Sequence, residues 1–424
     1  MAKTFRPWDV DQAVLFPPSL RDLVPAGHLA HFVRDVVREQ LDLSAIYAAY
    51  TEERGYPPYH PAMMTALLLY GYCRGIRSSR KLEQSCEERV DFMAVTGRAK
   101  PDHTRISEFR RRHRAALLGL FAQVVTLCRE AGLVTLGHVS VDGTKIQASA
   151  SKHAAMSYGR MKKAQRELKA EIRSWFDQAD AADEDDDRRH GRGRRGDELP
   201  DWVKSKQERL TKIAEAKKRL EEQAAAEGED EPEEKSQSNF TDPESRIMKT
   251  GDGYVQGYNA QAAVDAASHV IVAQEVVARQ RDHDELPAML DQIEAHTGER
   301  PVEVSADAGY CTESNLAEIE RRGIEGYVAT GRQDHGSASA VRDARKSKQR
   351  PLIAAMRARL RRGGWRSRYR LRKQTVEPVF GRIKEALGLR RFLQRGLRNV
   401  AAEWSLACTA HNLLKLAKAR PAMA

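Results

Sequence analysis

Residues 138–151, HVSVDGTKIQASAS, begin as an interior β-strand and then place a carboxylate where the core belongs. Val139, Val141 and Ile146 suit a buried pleated strand. Asp142 does not, because a carboxylate moved toward an apolar interior is costly unless it is paired, hydrogen-bonded or bound to a metal. The Asp-Gly step at 142–143 also suits a tight hairpin turn. The apolar run before it, and a second carboxylate in a similar setting, favour a ligand. That second acid is Asp307, which ends the strand VEVSAD just before Ala308 and Gly309. Asp307 could instead cap the turn after Gly309, but Thr312 is the better placed cap for the helix that follows.

The surroundings of these two strands set the fold class. Residues 1–130 read as helices. Pro61 to Gly97 carries an apolar helix, a turn around Gly75 and an amphipathic helix, and Phe109, Leu117, Leu118, Phe121 and Val125 continue the helical period. From Gly132 the period shortens toward two. LVTLGHVSVDGTKIQA, GYVQGYNAQAAVD, HVIVAQEVVA, PVEVSADAGY and IEGYVAT are strand candidates bounded by Gly, Asp or Pro. Two helices lie among them. Asp282-His-Asp-Glu285 is expected to open the first with an acidic cap, His283 and Asp284 being capping-turn residues, and ESNLAEIERRG forms the second with Gly323 as its stop. The order is that of a mixed α/β layer architecture, preceded by an all-α N-terminal domain.

The composition changes between 153 and 245. Two long charged helices with narrow apolar stripes (Leu168, Ile172, Trp175; Leu210, Ile213, Leu220) flank the charged stretch 177–200 and are followed by the acidic run EGEDEPEEKSQ. A helical hairpin with a mobile tip, inserted into the core, accounts for this. The expected domains are 1–130, all-α, for DNA binding or dimerisation; 131–152 with 246–424, the α/β core; and 153–245, the insertion.

The net charge of +11 is concentrated. Residues 341–400 hold 20 Lys and Arg against only Asp343, Glu377 and Glu385, a local balance of +17, so the remainder of the chain is net acidic. Such a patch is the footprint of a polyanion, with DNA or RNA as the expected partner. The arginines of 357–372 would grip phosphates without reading sequence. The five cysteines (Cys73, Cys86, Cys128, Cys311, Cys408) are scattered singly and read as small core residues. MAKTFRPWDV lacks the apolar stretch of a signal peptide and no segment approaches the ~20 apolar residues of a membrane span, so a cytoplasmic protein with no membrane partner is expected.

Within the basic region, RKQTVEPVFGRIKEALG repays reading by face. With Thr375 as N-cap and Pro378 in the first turn, a helix runs to about Gly388. Val376, Phe380, Ile383 and Leu387 form its buried stripe. Glu377 and Lys384, seven apart, share a neighbouring face about 100° away. Pro378 disfavours helical geometry at Glu377, which places that carboxylate at the helix mouth. Glu377 could simply favour the positive helix N-terminus, yet it is nearly alone among twenty bases.

VDGTK around Asp142, ADAGY around Asp307, and Lys373, Glu377 and Lys384 in K-x3-E-x6-K resemble the three blocks of the DDE transposases of bacterial insertion sequences. The resemblance extends to PDHTRISEFRRRH, GYNAQAAVD and EWSLACTAHNLLKL. In the family's signature, Y-x2-R-x3-E-x6-K, Lys373 stands at the Arg position and Tyr369 lies one residue further upstream. The resemblance implies that the α/β core is an RNase H-like mixed sheet with flanking helices, and that Asp142, Asp307 and Glu377 coordinate two Mg²⁺ ions, for which Mn²⁺ can substitute. It implies nicking at the element ends, then attack of the freed 3′-hydroxyl on target DNA. Double-stranded DNA, as terminal inverted repeats and as target, would be the partner of a nucleoid-associated homo-oligomer, a dimer on DNA. Lys145, Arg372, Lys373, Arg382 and Lys384 are the expected DNA contacts. Lys145 equally suits a surface lysine. His411 and Trp404, inside an apolar helix, read as core residues. Asn259 and Gln261 alternate along a strand without an evident role. Two rival readings remain: a catalytically inactive, domesticated DNA-binding protein, and a nuclease on the same fold that only hydrolyses.

Overall fold

The computed structural model describes residues 19–20, 22–51, 57–190, 201–226, 229–251, 253–280, 282–331, 350–363 and 367–419. The N-terminal stretch read for a signal peptide, the hairpin tip at 191–200 and the basic residues 341–349 lie outside them.

Helices α1 (Leu29–Glu39), α2 (Ser44–Tyr47), α3 (Pro61–Cys73), α4 (Ser79–Glu88), α5 (Val90–Thr96), α6 (His103–Arg112) and α7 (Arg114–Glu130) fill the N-terminal third. α3 is buried along nearly its whole length, as a helix apolar all round must be. The amphipathic helix expected up to Gly97 is two helices. Arg89 takes an extended conformation between α4 and α5, and its guanidinium binds Asp91 two residues on, so a local ion pair competes with helix continuation. Gly97, left-handed, ends α5.

The sheet is built from β1 (His138–Gln147), β4 (Arg246–Thr250), β5 (Gly253–Asp265), β6 (Ile271–Val277), β7 (Glu303–Ala306) and β8 (Glu325–Val328). β1 pairs antiparallel with β5 on one side and parallel with β7 on the other; β8 extends the parallel side, and β4 and β6 pair antiparallel with β5. β1 starts at His138, five residues later than its apolar run suggests, because Leu136 adopts positive φ and breaks the strand. An antiparallel meander joined at β1 to a parallel pair is the arrangement of an RNase H-like core. α10 (Glu285–Thr297) and α11 (Glu313–Arg321) connect the later strands, and Thr312 caps α11 by accepting from Asn315 N. The expected acidic cap of α10 is absent: its N-cap position is Asp284, which makes no side-chain capping bond, and Asp282 is committed elsewhere.

α8 (Tyr158–His190) and α9 (Asp201–Ala226) form the inserted hairpin, packed through Tyr158, Met161, Leu168, Ile213, Ala216 and Leu220, with the short pair β2 (Ala155–Ser157) and β3 (Gln237–Asn239) at its base.

Three C-terminal helices, α12 (Pro351–Gly363), α13 (Leu371–Glu385) and α14 (Leu397–Ala419), finish the chain. α13 corrects the reading of Thr375 as an N-cap. The helix starts a turn earlier, Pro378 lies inside it, and the Thr375 hydroxyl donates back to the Leu371 carbonyl at 2.7 Å. Glu377 is therefore within the helix and not at its mouth. A proline inside a helix costs about 3 kcal/mol, and burial of Thr375, Val376, Val379 and Phe380 against the sheet offsets it. α14 is buried on almost every side, between α3, α7 and β6. His411 donates through its ring to the His269 carbonyl (2.8 Å), and burial holds it neutral, its pKa lowered to about 3. Trp404 donates to the Gln261 carbonyl. Both are core residues. Cys73, Cys86, Cys128 and Cys408 are buried and free, and Cys311 is free and half-buried.

One apolar core runs through the N-terminal helices and the sheet together. At their junction Arg77 donates to Glu403 Oε1 (2.5 Å) and to the carbonyls of Gly388 (2.7 Å) and Arg391 (3.1 Å), while Glu403 also accepts the amides of Leu393 and Gln394. Glu403 is fully buried.

Candidate active site

β7 ends at Ala306, paired with Val141, so Asp142 and Asp307 are the next residues on two adjacent parallel strands. This is where a parallel pair separates and backbone groups lose their ladder, the usual place for a ligand in such sheets. Each acid accepts a local amide: Gly143 N donates to Asp142 Oδ1 (2.9 Å) and Gly309 N to Asp307 Oδ1 (2.8 Å). The second oxygen of Asp142 accepts from Arg372 Nη1 of α13, and both side chains are nearly buried, 13% and 12% exposed. The carboxylate in the opening strand is thus held by an arginine from the basic region, 230 residues away.

Burial pushes the Asp142 carboxyl up to about 6; Arg372 opposes this, and the charges of Asp307 and Asp282 add to it. With a folded pKa above its ordinary value of 3.8, Asp142 costs nothing well below pH 3.8, where it is neutral in both states, and increasingly destabilises the fold as pH rises from there through about 6. Asp142→Asn should therefore raise the stability of the metal-free protein at pH 7.5 by up to about 3 kcal/mol, since each pKa unit is ~1.4 kcal/mol, and leave it nearly unchanged near pH 3. Urea unfolding at the two pH values measures this; equal effects at both would refute the burial argument.

The opposite face of β1 carries a polar network. Asn259 and Gln261, which register with Lys145 and Gly143, are fully buried and donate to Asp282 Oδ1 at 2.5 and 2.7 Å. Lys145 pairs with the same oxygen at 3.5 Å, and the Tyr310 hydroxyl donates to Gln261 Oε1. Gly143 makes room for all of this. A Cβ there would lie 2.5 Å from Gln261 Nε2 and 2.8 Å from both Asn259 Oδ1 and Asp282 Oδ1. Gly143→Ala should cost roughly 2–3 kcal/mol by breaking these buried hydrogen bonds, read as a fall in melting temperature; a change near zero would mean the network is loose.

The other expected residues divide. Lys384 donates to Thr144 Oγ1 (2.5 Å), so the α13 face that also carries Glu377 lies along β1. Glu377 itself is exposed and has no hydrogen-bond or ion-pair partner among the described residues. Lys373 is exposed, and its neighbour Arg372, stacked near the Tyr369 ring (5.8 Å), is the one of the two that reaches Asp142. Arg382 faces α14, where its charge helps lower the pKa of Lys415. Asp282, Asn259, Gln261 and Tyr310 were not among the expected site residues. The signal available for them was the polar alternation in an otherwise apolar strand and an acid too many ahead of α10. As the side chains stand, no three His, Cys, Asp or Glu among the described residues are gathered to hold one metal ion.

Two family models match. One, described as Transposase domain (DUF772), covers residues 18–112; the other, Transposase DDE domain, covers 225–413 and so includes Asp307 and Glu377. The chain belongs to the DDE transposases. No curated protein and no solved structure is significantly similar to it. Asp142 lies between the two matched regions, and its place beside Asp307 in the transposase comes from the β1–β7 register. The family acts on DNA in transposition. No helix among the described residues of the transposase is long and apolar enough to cross a membrane.

Proposed function

We propose that this transposase cleaves DNA at the ends of its own element and joins the freed 3′-hydroxyl to target DNA, with Asp142, Asp307 and Glu377 as the catalytic acids. The observation that carries this reading is the β1–β7 register, which sets Asp142, inside β1, beside Asp307, the residue after the end of β7, both no more than half-exposed. The donor set suits a hard divalent cation: carboxylate oxygens, in a pocket with more negative charge than its arginine offsets. Asp142 and Asp307, joined by Glu377 from α13, would hold Mg²⁺ or Mn²⁺. Such a cation supplies charge to the phosphodiester and makes the attacking oxygen a better nucleophile.

The chain's own residues do the rest. Arg372 offers a planar fork suited to two phosphate oxygens, and moving to a DNA phosphate frees Asp142 Oδ2. Lys384, whose amine is made less basic chiefly by burial, positions the backbone one step along β1. Lys373 and the exposed arginines of α12 add affinity without sequence choice.

The test is a product analysis. Full-length protein is incubated with DNA carrying both element ends, a target plasmid and Mg²⁺. Joined strands support the proposal. Free ends alone would make it a hydrolase, and tight binding with no products under Mg²⁺ or Mn²⁺ would leave only the DNA-binding reading.

A further inference from the structure

Asp282 brings a further acid between Gly143 of β1 and Gly309, just past Asp307, and its two oxygens have unlike surroundings. Oδ1 is saturated by Asn259, Gln261 and Lys145. Oδ2 accepts no hydrogen bond among the described residues. It lies 3.0 Å from the point a Cβ would occupy on Gly309, and Asp307 Oδ1 lies 2.9 Å from that same point. The two carboxylates close over one glycine. A second, separate feature is Asn259. It is fully buried, its amide nitrogen is used, and its Oδ1 has no hydrogen-bond partner while standing 2.8 Å from the Cβ position of Gly143, the residue after Asp142. A buried amide oxygen without a partner is costly, and amide and carboxylate oxygens are what hard divalent cations take.

The electrostatics agree with this placement. The buried Tyr310 hydroxyl is pushed well up, by burial first and then by the charges of Asp282, Asp142, Asp307 and Glu285. A capping role does not explain Asp282, since α10 has its N-cap at Asp284 and the Asp282 carboxylate turns away to the β5 amides.

We infer that Asp282 is a fourth carboxylate of the cation site, presenting Oδ2 beside Asp307 while the β5 amides hold Oδ1 and fix its orientation. This rests on reading Asp142 and Asp307 as cation ligands. Lys145 balances part of the added charge.

The test is equilibrium Mn²⁺ binding to the full-length protein without DNA, with free Mn²⁺ read by electron paramagnetic resonance. Asp282→Asn keeps an acceptor for Asn259 and Gln261 but loses the charged oxygen. It should weaken Mn²⁺ binding about tenfold or more, with no fall in the metal-free melting temperature. Asp282→Cys should also lose Mn²⁺ but bind Cd²⁺ more tightly than wild type, because a thiolate is a soft ligand; a merely structural carboxylate would give no such gain. If Asp142→Asn weakens Mn²⁺ while Asp282→Asn stays within about twofold of wild type and Asp282→Cys gains no Cd²⁺, the inference is overturned and the function proposed above stands. If Asp142→Asn also binds normally, both fall. Should Asp282→Asn not fold, the Cd²⁺ affinity of Asp282→Cys decides.

Discussion

Asp307→Asn lowers strand cleavage at the element ends by about a thousandfold or more while leaving affinity for the same DNA within about twofold. Removing a ligand that a cation needs forfeits several kcal/mol of transition-state stabilisation, and each ~1.4 kcal/mol is a factor of ten in rate. The substitution is nearly isosteric, and the new amide oxygen can still accept from Gly309 N, as Asp307 Oδ1 does at 2.8 Å, so the turn after β7 survives. DNA affinity holds because phosphate contacts come from basic side chains and not from the acids. Glu377→Gln makes a sharper companion. Glu377 is exposed and has no partner among the described residues, so the variant should be as stable as wild type. A cleavage loss there cannot be attributed to unfolding. Gel-resolved single-turnover cleavage with a parallel binding titration checks both; cleavage within tenfold of wild type in either variant would remove that residue from the catalytic set.

Arg77→Met should destabilise the protein by about 3–5 kcal/mol at pH 7.5, the cost of leaving one member of a buried ion pair alone. Glu403 is fully buried, its pKa already raised by that burial, and Arg77 is the leading opposing influence. Without the guanidinium, Glu403 keeps only the amides of Leu393 and Gln394, and the carbonyls of Gly388 and Arg391 lose their donor. The sign of the pH dependence follows. A carboxyl whose folded pKa is raised costs stability only where it is ionised, so the Arg77→Met defect should shrink as pH falls toward 5. Arg77→Met/Glu403→Leu should recover much of the loss, because hydrophobic replacement of a buried pair is often neutral. Denaturant unfolding of the two variants decides; a loss under about 1 kcal/mol for Arg77→Met would mean that water reaches the pair.

The parts of this fold that were legible in the sequence are those decided by local pattern. Asp142 declared itself as a charge in an apolar strand, GYVQGYNAQAAVD matches β5 at Gly253–Asp265, and the stripe Val376, Phe380, Ile383 and Leu387 is buried as its spacing requires. What local pattern cannot carry is tertiary override. Pro378 argued for a helix beginning at Thr375, yet packing of Thr375 and Val376 on the sheet extends α13 back to Leu371. Likewise Asp282 looked like a cap because its true partners, Asn259 and Gln261, are brought to it by strand register with Lys145 and Gly143. The role of Arg372 depends on a contact across 230 residues, beyond the reach of any motif spacing.

Asp142, Asp307 and Glu377, as proposed, serve one cation site. Fe²⁺ in place of Mg²⁺, with ascorbate and peroxide, cuts a polypeptide beside the residues that bind it, and mass spectrometry locates the cuts. Breaks are expected next to 142, 307 and 377, all suppressed by excess Mg²⁺. Cuts that cluster elsewhere, or that persist unchanged under Mg²⁺, would contradict that proposal.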